Sequence, residues 1–258
     1  MSYHIRYDSN DGIILDALIH ECNNAKAIVL MLHGINSDKN EEGLYDKLSK
    51  SLLEQKINSF RFDFRSHGMS TGKNQYVTIA GETEDFLHSL ELIIKKWELP
   101  IFVIATSFGA VSILNGYTDR LCNRIKGIIF LNPVFDLQMT FLNPEFNWPR
   151  DSFNKKAYEE LENKGFFLLD NKLKVGKTLF NEIENLKPYK KLHLINSPVL
   201  LIHGNCDQYV SYNLVKKYST EIQQCDFVTI DGANHGFEKK EEQDKVLQLV
   251  INWIKKFV

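Results

Sequence analysis

The sequence predicts an α/β protein: a mainly parallel central sheet, helices on both faces, and an antiparallel hairpin at one edge. Three observations lead there. Strand-length segments recur at 27–32, 57–64, 101–106, 126–131, 199–203 and 227–230. Segment 27–32, Ala-Ile-Val-Leu-Met-Leu, is apolar throughout, as a strand covered on both faces must be. Helical spacing separates these runs, and such alternation argues for a parallel sheet. Residues 3–7 and 13–19 flank Asn10-Asp11-Gly12, a hairpin signal.

The helices follow from periodicity. Leu44, Leu48 and Leu52 mark a helix over 41–54. Thr78 is placed to cap a longer one reaching about 97, with Phe86, Leu90 and Ile93 on one face. A third begins at Phe108, and a last spans 241–256 with Val246, Leu249, Val250 and Trp253 inward.

At 258 residues the chain is long enough for a single large domain over 1–258. A net charge of −2 provides no electrostatic footprint for nucleic acid or an anionic membrane. Cys22, Cys122, Cys206 and Cys225 form no C-x-x-C pair and have no histidine at metal-ligand spacing, so reduced thiols are expected. The first residues lack the apolar core of a secretory signal, and no run approaches a membrane span. A soluble, cytoplasmic protein is expected.

One interval breaks the rhythm. Between Pro133 and Pro198 no central strand is evident, and the stretch is rich in rings: Phe135, Phe141, Phe146, Trp148, Phe153, Tyr158, Phe166 and Phe167. A connection this long needs structure of its own or a function. The preferred reading is a small cap, about 135–190, over the ligand-binding edge of the sheet. A helical layer on the side of the sheet is the alternative.

Ser107 interrupts the run Val103-Ile104-Ala105-Thr106-Ser107-Phe108-Gly109 between two small residues. That pattern is a strand turning sharply into a helix with the hydroxyl at the apex, a nucleophile elbow. A serine needs a base, and His235 stands in a glycine-bearing loop after the last strand. A base histidine needs an acid to fix its tautomer. Asp207, in the turn after 199–203, is preferred; Asp136, after the strand ending at 131, is the alternative. Acyl transfer also needs two amide donors. Phe108 follows the nucleophile, and Ile35 follows His33-Gly34 at the end of strand 27–32. His33 reads as a structural histidine pinning that loop.

With these residues in hand, the chain resembles the α/β-hydrolase superfamily, in its serine esterase, feruloyl esterase and monoacylglycerol-lipase-like branch. The resemblance rests on Leu-His-Gly at 32–34, Arg-Phe-Asp-Phe-Arg-Ser-His-Gly-Met-Ser-Thr-Gly at 61–72, Ala-Thr-Ser-Phe-Gly at 105–109, Pro-Val-Leu-Leu-Ile-His-Gly at 198–204 with Asp207, and Asn234-His235. The order Ser107, Asp207, His235 is that family's triad order. The resemblance implies an α/β-hydrolase fold and makes Asp63, Arg65 and His67-Gly68 a structural turn near the site. Ala105 and Ser66 stand where glycine is commoner in the branch.

The expected activity is hydrolysis of a carboxylic ester through an acyl-enzyme on Ser107, with His235 as base, Asp207 as acid and the Ile35 and Phe108 amides as oxyanion hole. No metal or organic cofactor is required. The aromatic interval suggests a small-molecule ester with an apolar or aromatic group. Thioester or aminopeptidase-like amide cleavage fits the same machinery, and a noncatalytic ligand-binding protein on a hydrolase fold is the contrasting hypothesis.

Overall fold

A computed structural model describes residues 1–118 and 120–258. Strands β1 (Ser2–Asp8) and β2 (Ile14–His20) pair antiparallel across the predicted turn. Next come β3 (Ala27–Leu32), α1 (Leu44–Glu54), β4 (Ile57–Phe62), α2 (Ile79–Lys96), β5 (Ile101–Thr106), α3 (Gly109–Gly116) and β6 (Ile125–Leu131). After a long interval, β9 (Val199–Gly204), α7 (Tyr212–Ser219), β10 (Cys225–Ile230) and α8 (Lys240–Ile254) complete the chain. The eight-stranded sheet runs β1-β2-β4-β3-β5-β6-β9-β10. β2 joins β4 antiparallel, and every later pairing is parallel.

Each central strand feeds two cores. Ile28, Leu30 and Leu32 of β3 join α2 and α3, through Phe86, Leu90, Ile93 and Val111. Ala27, Val29 and Met31 face the other way, onto Leu44, Leu48 and Leu52 of α1 and Val246, Val250 and Trp253 of α8. This two-residue alternation explains why the run is apolar at every position. It also sets the site. The chain leaves β3 toward α1 on one face and leaves the adjacent β5 toward α3 on the other. The diverging connections open a crevice at the carboxyl edge, where α/β sheets bind ligands.

Thr78 caps α2 as expected, its Oγ1 accepting the Gly81 N–H at 2.9 Å. The helix predicted over 41–54 is shorter than its periodicity suggests. Glu41, Glu42 and Gly43 take left-handed backbone (φ 45°, 51° and 93°), and the regular helix begins at Leu44.

Between β6 and β9 lie a π-helical turn (Gln138–Leu142), α4 (Asn147–Ser152), α5 (Lys155–Lys164), the hairpin β7 (Phe166–Leu169) with β8 (Leu173–Gly176), and α6 (Lys177–Asn185). No strand of this interval joins the main sheet. Phe135, Phe153 and Phe167 are buried in the core, Phe141 is buried and also lines the crevice, and half-buried Trp148 lines it as well. Among the described residues, no helix is long and apolar enough to cross a membrane.

Candidate active site

Ser107 follows β5 with a left-handed backbone, φ 51°, a conformation that costs a non-glycine residue energy and clusters at functional sites. The neighbouring strand holds it there. Its N–H donates to Leu131 O at 2.9 Å, and its carbonyl accepts the Val134 N–H at 2.9 Å. Gly109 permits the turn, although the crowding comes from β3 and not from β5. A Cβ at Gly109 would lie 2.7 Å from the Leu32 and His33 carbonyl oxygens.

The three side chains singled out by the sequence meet at this edge. His235 Nδ1 lies 2.7 Å from Asp207 Oδ2, and His235 Nε2 lies 3.0 Å from Ser107 Oγ. A carboxylate only accepts, so Nδ1 carries the proton and Nε2 is left to accept from the serine hydroxyl. Burial favours the neutral imidazole, but Asp207, with Glu41 and Glu42, outweighs it and raises the His235 pKa above its ordinary value. Burial likewise works against the Asp207 charge. His235 and His203 overcome it and hold the carboxyl well below the usual range.

Asp207 is fixed on all sides. Oδ1 accepts the Tyr209 and Val210 N–H groups at 2.7 and 2.9 Å. Oδ2 accepts from His235 and lies 3.2 Å from Nε2 of fully buried His203, which reaches the Val210 carbonyl at 3.3 Å. Asn234 ties the acid's loop to the base's, its Oδ1 accepting from Gln208 and His235 N–H at 3.1 and 2.8 Å. Asn132, at the end of β6, donates to the His235 carbonyl and accepts the Gly204 N–H at 2.9 Å.

Asp136, the alternative acid, is engaged elsewhere. It accepts the Tyr218 hydroxyl at 2.6 Å and the Met139 N–H at 3.0 Å. His33 pins the β3 loop: the Phe64 N–H donates to its Nε2 at 3.0 Å, so its protonated Nδ1 donates to Gly34 O at 2.8 Å. Burial keeps that ring neutral. Asp63 and Arg65 belong to a turn. Asp63 takes the Lys39 and Met69 N–H groups, and Arg65 is paired with Asp85 and Asp11.

A cavity of about 320 Å³ opens over Ser107, lined by Ile35, Glu41, Val134, His235 and Tyr209 and, from the 133–198 interval, Phe141 and Trp148. Tyr209 stacks on the His235 ring at 5.2 Å and meets Trp148 at 5.1 Å. Among the described residues, neither the Ile35 nor the Phe108 N–H is held by a protein acceptor. Sequence reasoning missed two contributors, His203 and Glu41. His203 is the one polar side chain of an apolar strand that runs directly into the Asn-Cys-Asp turn at 205–207, and that proximity was the available signal.

Comparison with known proteins bears on the fold and the family. No curated relative matches the sequence. The feruloyl-type likeness has a structural counterpart: Est1E of Butyrivibrio proteoclasticus, solved with ferulic acid, superposes with a TM-score of 0.81 at 20% identity over 98% of each chain. The esterase Pf2001 of Pyrococcus furiosus superposes at 0.74, with 20% identity over 99% of this chain and 92% of that one. At such identities the likeness establishes the fold. The family itself comes from the sequence: the profile described as "Serine aminopeptidase, S33" matches residues 23–191, and the chain belongs to that family of α/β hydrolases.

Proposed function

We propose that this protein is a serine hydrolase that cleaves a carboxylic ester through an acyl-enzyme on Ser107. The observation that carries the reading is the imidazole of His235, which spans Ser107 Oγ at 3.0 Å and Asp207 Oδ2 at 2.7 Å. His235 Nε2 takes the hydroxyl proton as Oγ bonds to the acyl carbon, and the carbonyl electron pair moves onto oxygen. The Ile35 and Phe108 amides receive that oxyanion, a role worth several kcal/mol where donors are fixed in advance. His235 then protonates the departing alkoxide. Water, deprotonated by the same nitrogen, repeats the attack and frees Ser107. Asp207 keeps the imidazole in the tautomer each step needs.

Residues of the 133–198 interval act in this reading as a cap, about 135–190, that walls the acyl or alcohol pocket with Phe141 and Trp148. Those ring walls suit an aromatic or apolar substituent, while Glu42, Asp170, Lys172 and Glu238 of the same cavity leave room for a polar remainder. The ferulic acid held by one structural neighbour supports an aromatic acid as the first to try. The family description names an aminopeptidase, which favours a second reading, amide cleavage by the same residues.

A fluorophosphonate probe tests the chemistry. The native chain is expected to label and S107A to remain unlabelled. A folded native chain that does not label overturns the enzymatic reading in favour of a noncatalytic one. Aryl esters set against aminoacyl anilides then decide between the two substrates.

A further inference from the structure

Glu41 is an odd residue to find beside Ser107. It is an acid without a cation: among the described residues it makes no ion pair. Its Oε2 accepts the Gly34 N–H at 2.7 Å. A Cβ built on Gly34 would stand 3.7 Å from both Glu41 Oε1 and Ser107 Oγ, so carboxyl and hydroxyl flank one glycine. Glu41 and Glu42 take left-handed backbone in succession there, a conformation non-glycine residues rarely take.

The geometry of Gly34 explains what the acid does. Glycine's φ and ψ are nearly free, so the two peptide planes meeting at its Cα need external restraint. Glu41 holds the plane that carries the Gly34 N–H. His33 Nδ1 holds the next plane by its carbonyl, at 2.8 Å. That second plane also carries the Ile35 N–H, which points opposite to the carbonyl in a planar trans peptide. With both planes held, the Ile35 donor has one direction.

We infer that Glu41 is a positioning residue for the oxyanion loop, fixing the Gly34 amide so that the Ile35 N–H is aimed before substrate arrives. The inference rests on the ester-hydrolase reading above. Burial pushes the Glu41 carboxyl up to about 7. Facing it are Glu42 and His235, and His235 itself faces Asp207, Glu41, Glu42 and the Tyr209 ring.

The test compares native chain, E41A and E41Q on an aryl acetate, with thermal unfolding recorded for each. E41A is expected to lose about tenfold to a hundredfold in kcat, with KM within about threefold, because a loosened donor is felt in the transition state. A trifluoromethyl ketone, whose adduct on Ser107 carries the oxyanion, should weaken by a similar factor. E41Q keeps an acceptor for Gly34 and should recover most of the rate. Its kcat/KM acid limb should move to lower pH, since the negative charge that favours protonated His235 is gone. In the native chain the Gly34 amide resonance should titrate near pH 7, and in E41Q it should not. Native kcat in E41A, or unchanged ketone affinity, overturns the inference. If E41A does not fold, an unmoved acid limb and an unaltered Gly34 amide in E41Q overturn it instead. A native chain that titrates at Gly34 yet turns over no ester sinks the hydrolase reading while leaving the Gly34–Glu41 bond established.

Discussion

Two regions meet over Ser107, and they are held by different forces. The strand-end loops carrying Ser107, Asp207 and His235 are a lattice of hydrogen bonds, with Asp207 alone accepting three. The 133–198 interval reaches the same cavity mainly through ring contacts, Phe141 with Phe108 at 5.9 Å and Trp148 with Tyr209 at 5.1 Å, with one hydrogen bond from Trp148 Nε1 to the Tyr209 carbonyl at 3.1 Å. Hydrogen bonds are directional and fix atoms to fractions of an ångström. Ring contacts tolerate shifts and recognise shape. In the ester-hydrolase reading proposed above, the first region therefore governs rate and the second governs which substrate binds.

The sharpest way to break that division is to neutralise one acid in each region. D207N removes the partner that orients His235, and kcat should fall on the order of 10⁴-fold, as loss of the acid does in Ser–His–Asp triads. D136N alters the acid bonded to Tyr218. It should cost about 1–3 kcal/mol of stability and leave kcat nearly unchanged. Steady-state kinetics and a melting curve on both variants check it; comparable rate losses would refute the division. The pH profile sharpens it further. The proposed mechanism needs neutral His235, and Asp207 raises its pKa against the effect of burial. Activity should therefore fall as pH drops through a value above that of free imidazole.

The same division decides what could be read from the chain itself. Strands β3, β5 and β9 are legible because both faces of each are buried, so their apolar character needs no partner to interpret. The convergence of Ser107, Asp207 and His235 is legible because each stands just after a strand of one sheet, β5, β9 and β10. Glu41 is not: on the periodic pattern it falls in the first turn of a helix, where an acid is ordinarily solvated and favoured by the dipole. Only the tertiary position of Gly34 makes left-handed backbone there worthwhile. In the 133–198 interval the sequence announces many rings without saying which serve the core. Phe153 and Phe167 are buried while Trp148 lines the cavity, a sorting made by packing alone. The hairpin carries one local signal, Asp170-Asn171, whose φ of 51° and 56° suits a tight turn.

A change confined to the ring-held region should alter binding more than rate. W148A removes the ring that touches Phe141 and Tyr209. KM for an aryl ester should rise about tenfold, equivalent to about 1.4 kcal/mol, with kcat within about threefold and a smaller effect on an acetyl ester. An equal loss of kcat on both substrates would place Trp148 with the catalytic loops instead.

The smallest expected effect concerns a junction between the regions where no chemistry occurs. Glu182, on α6 of the interval, caps α2 by accepting the Ile79 and Ala80 N–H groups at 2.6 and 3.0 Å. Close by, burial pushes Glu82 up to about 8, with Asp85 and Glu182 adding to the rise and Arg65 opposing it. The fold thus binds the Glu82 proton more tightly than the unfolded chain does. Its contribution to stability is complete below the ordinary glutamate pKa. It declines as pH rises from there and is lost through about 8. E82Q mimics the protonated form, so its melting temperature should match the native chain near pH 4 and exceed it by about 5 °C at pH 8.5. Adding E182Q should shrink that gain, because removing the second charge lets Glu82 ionise at lower cost. A gain independent of pH, or one unaffected by Glu182, would mean the two regions are electrostatically separate at this junction.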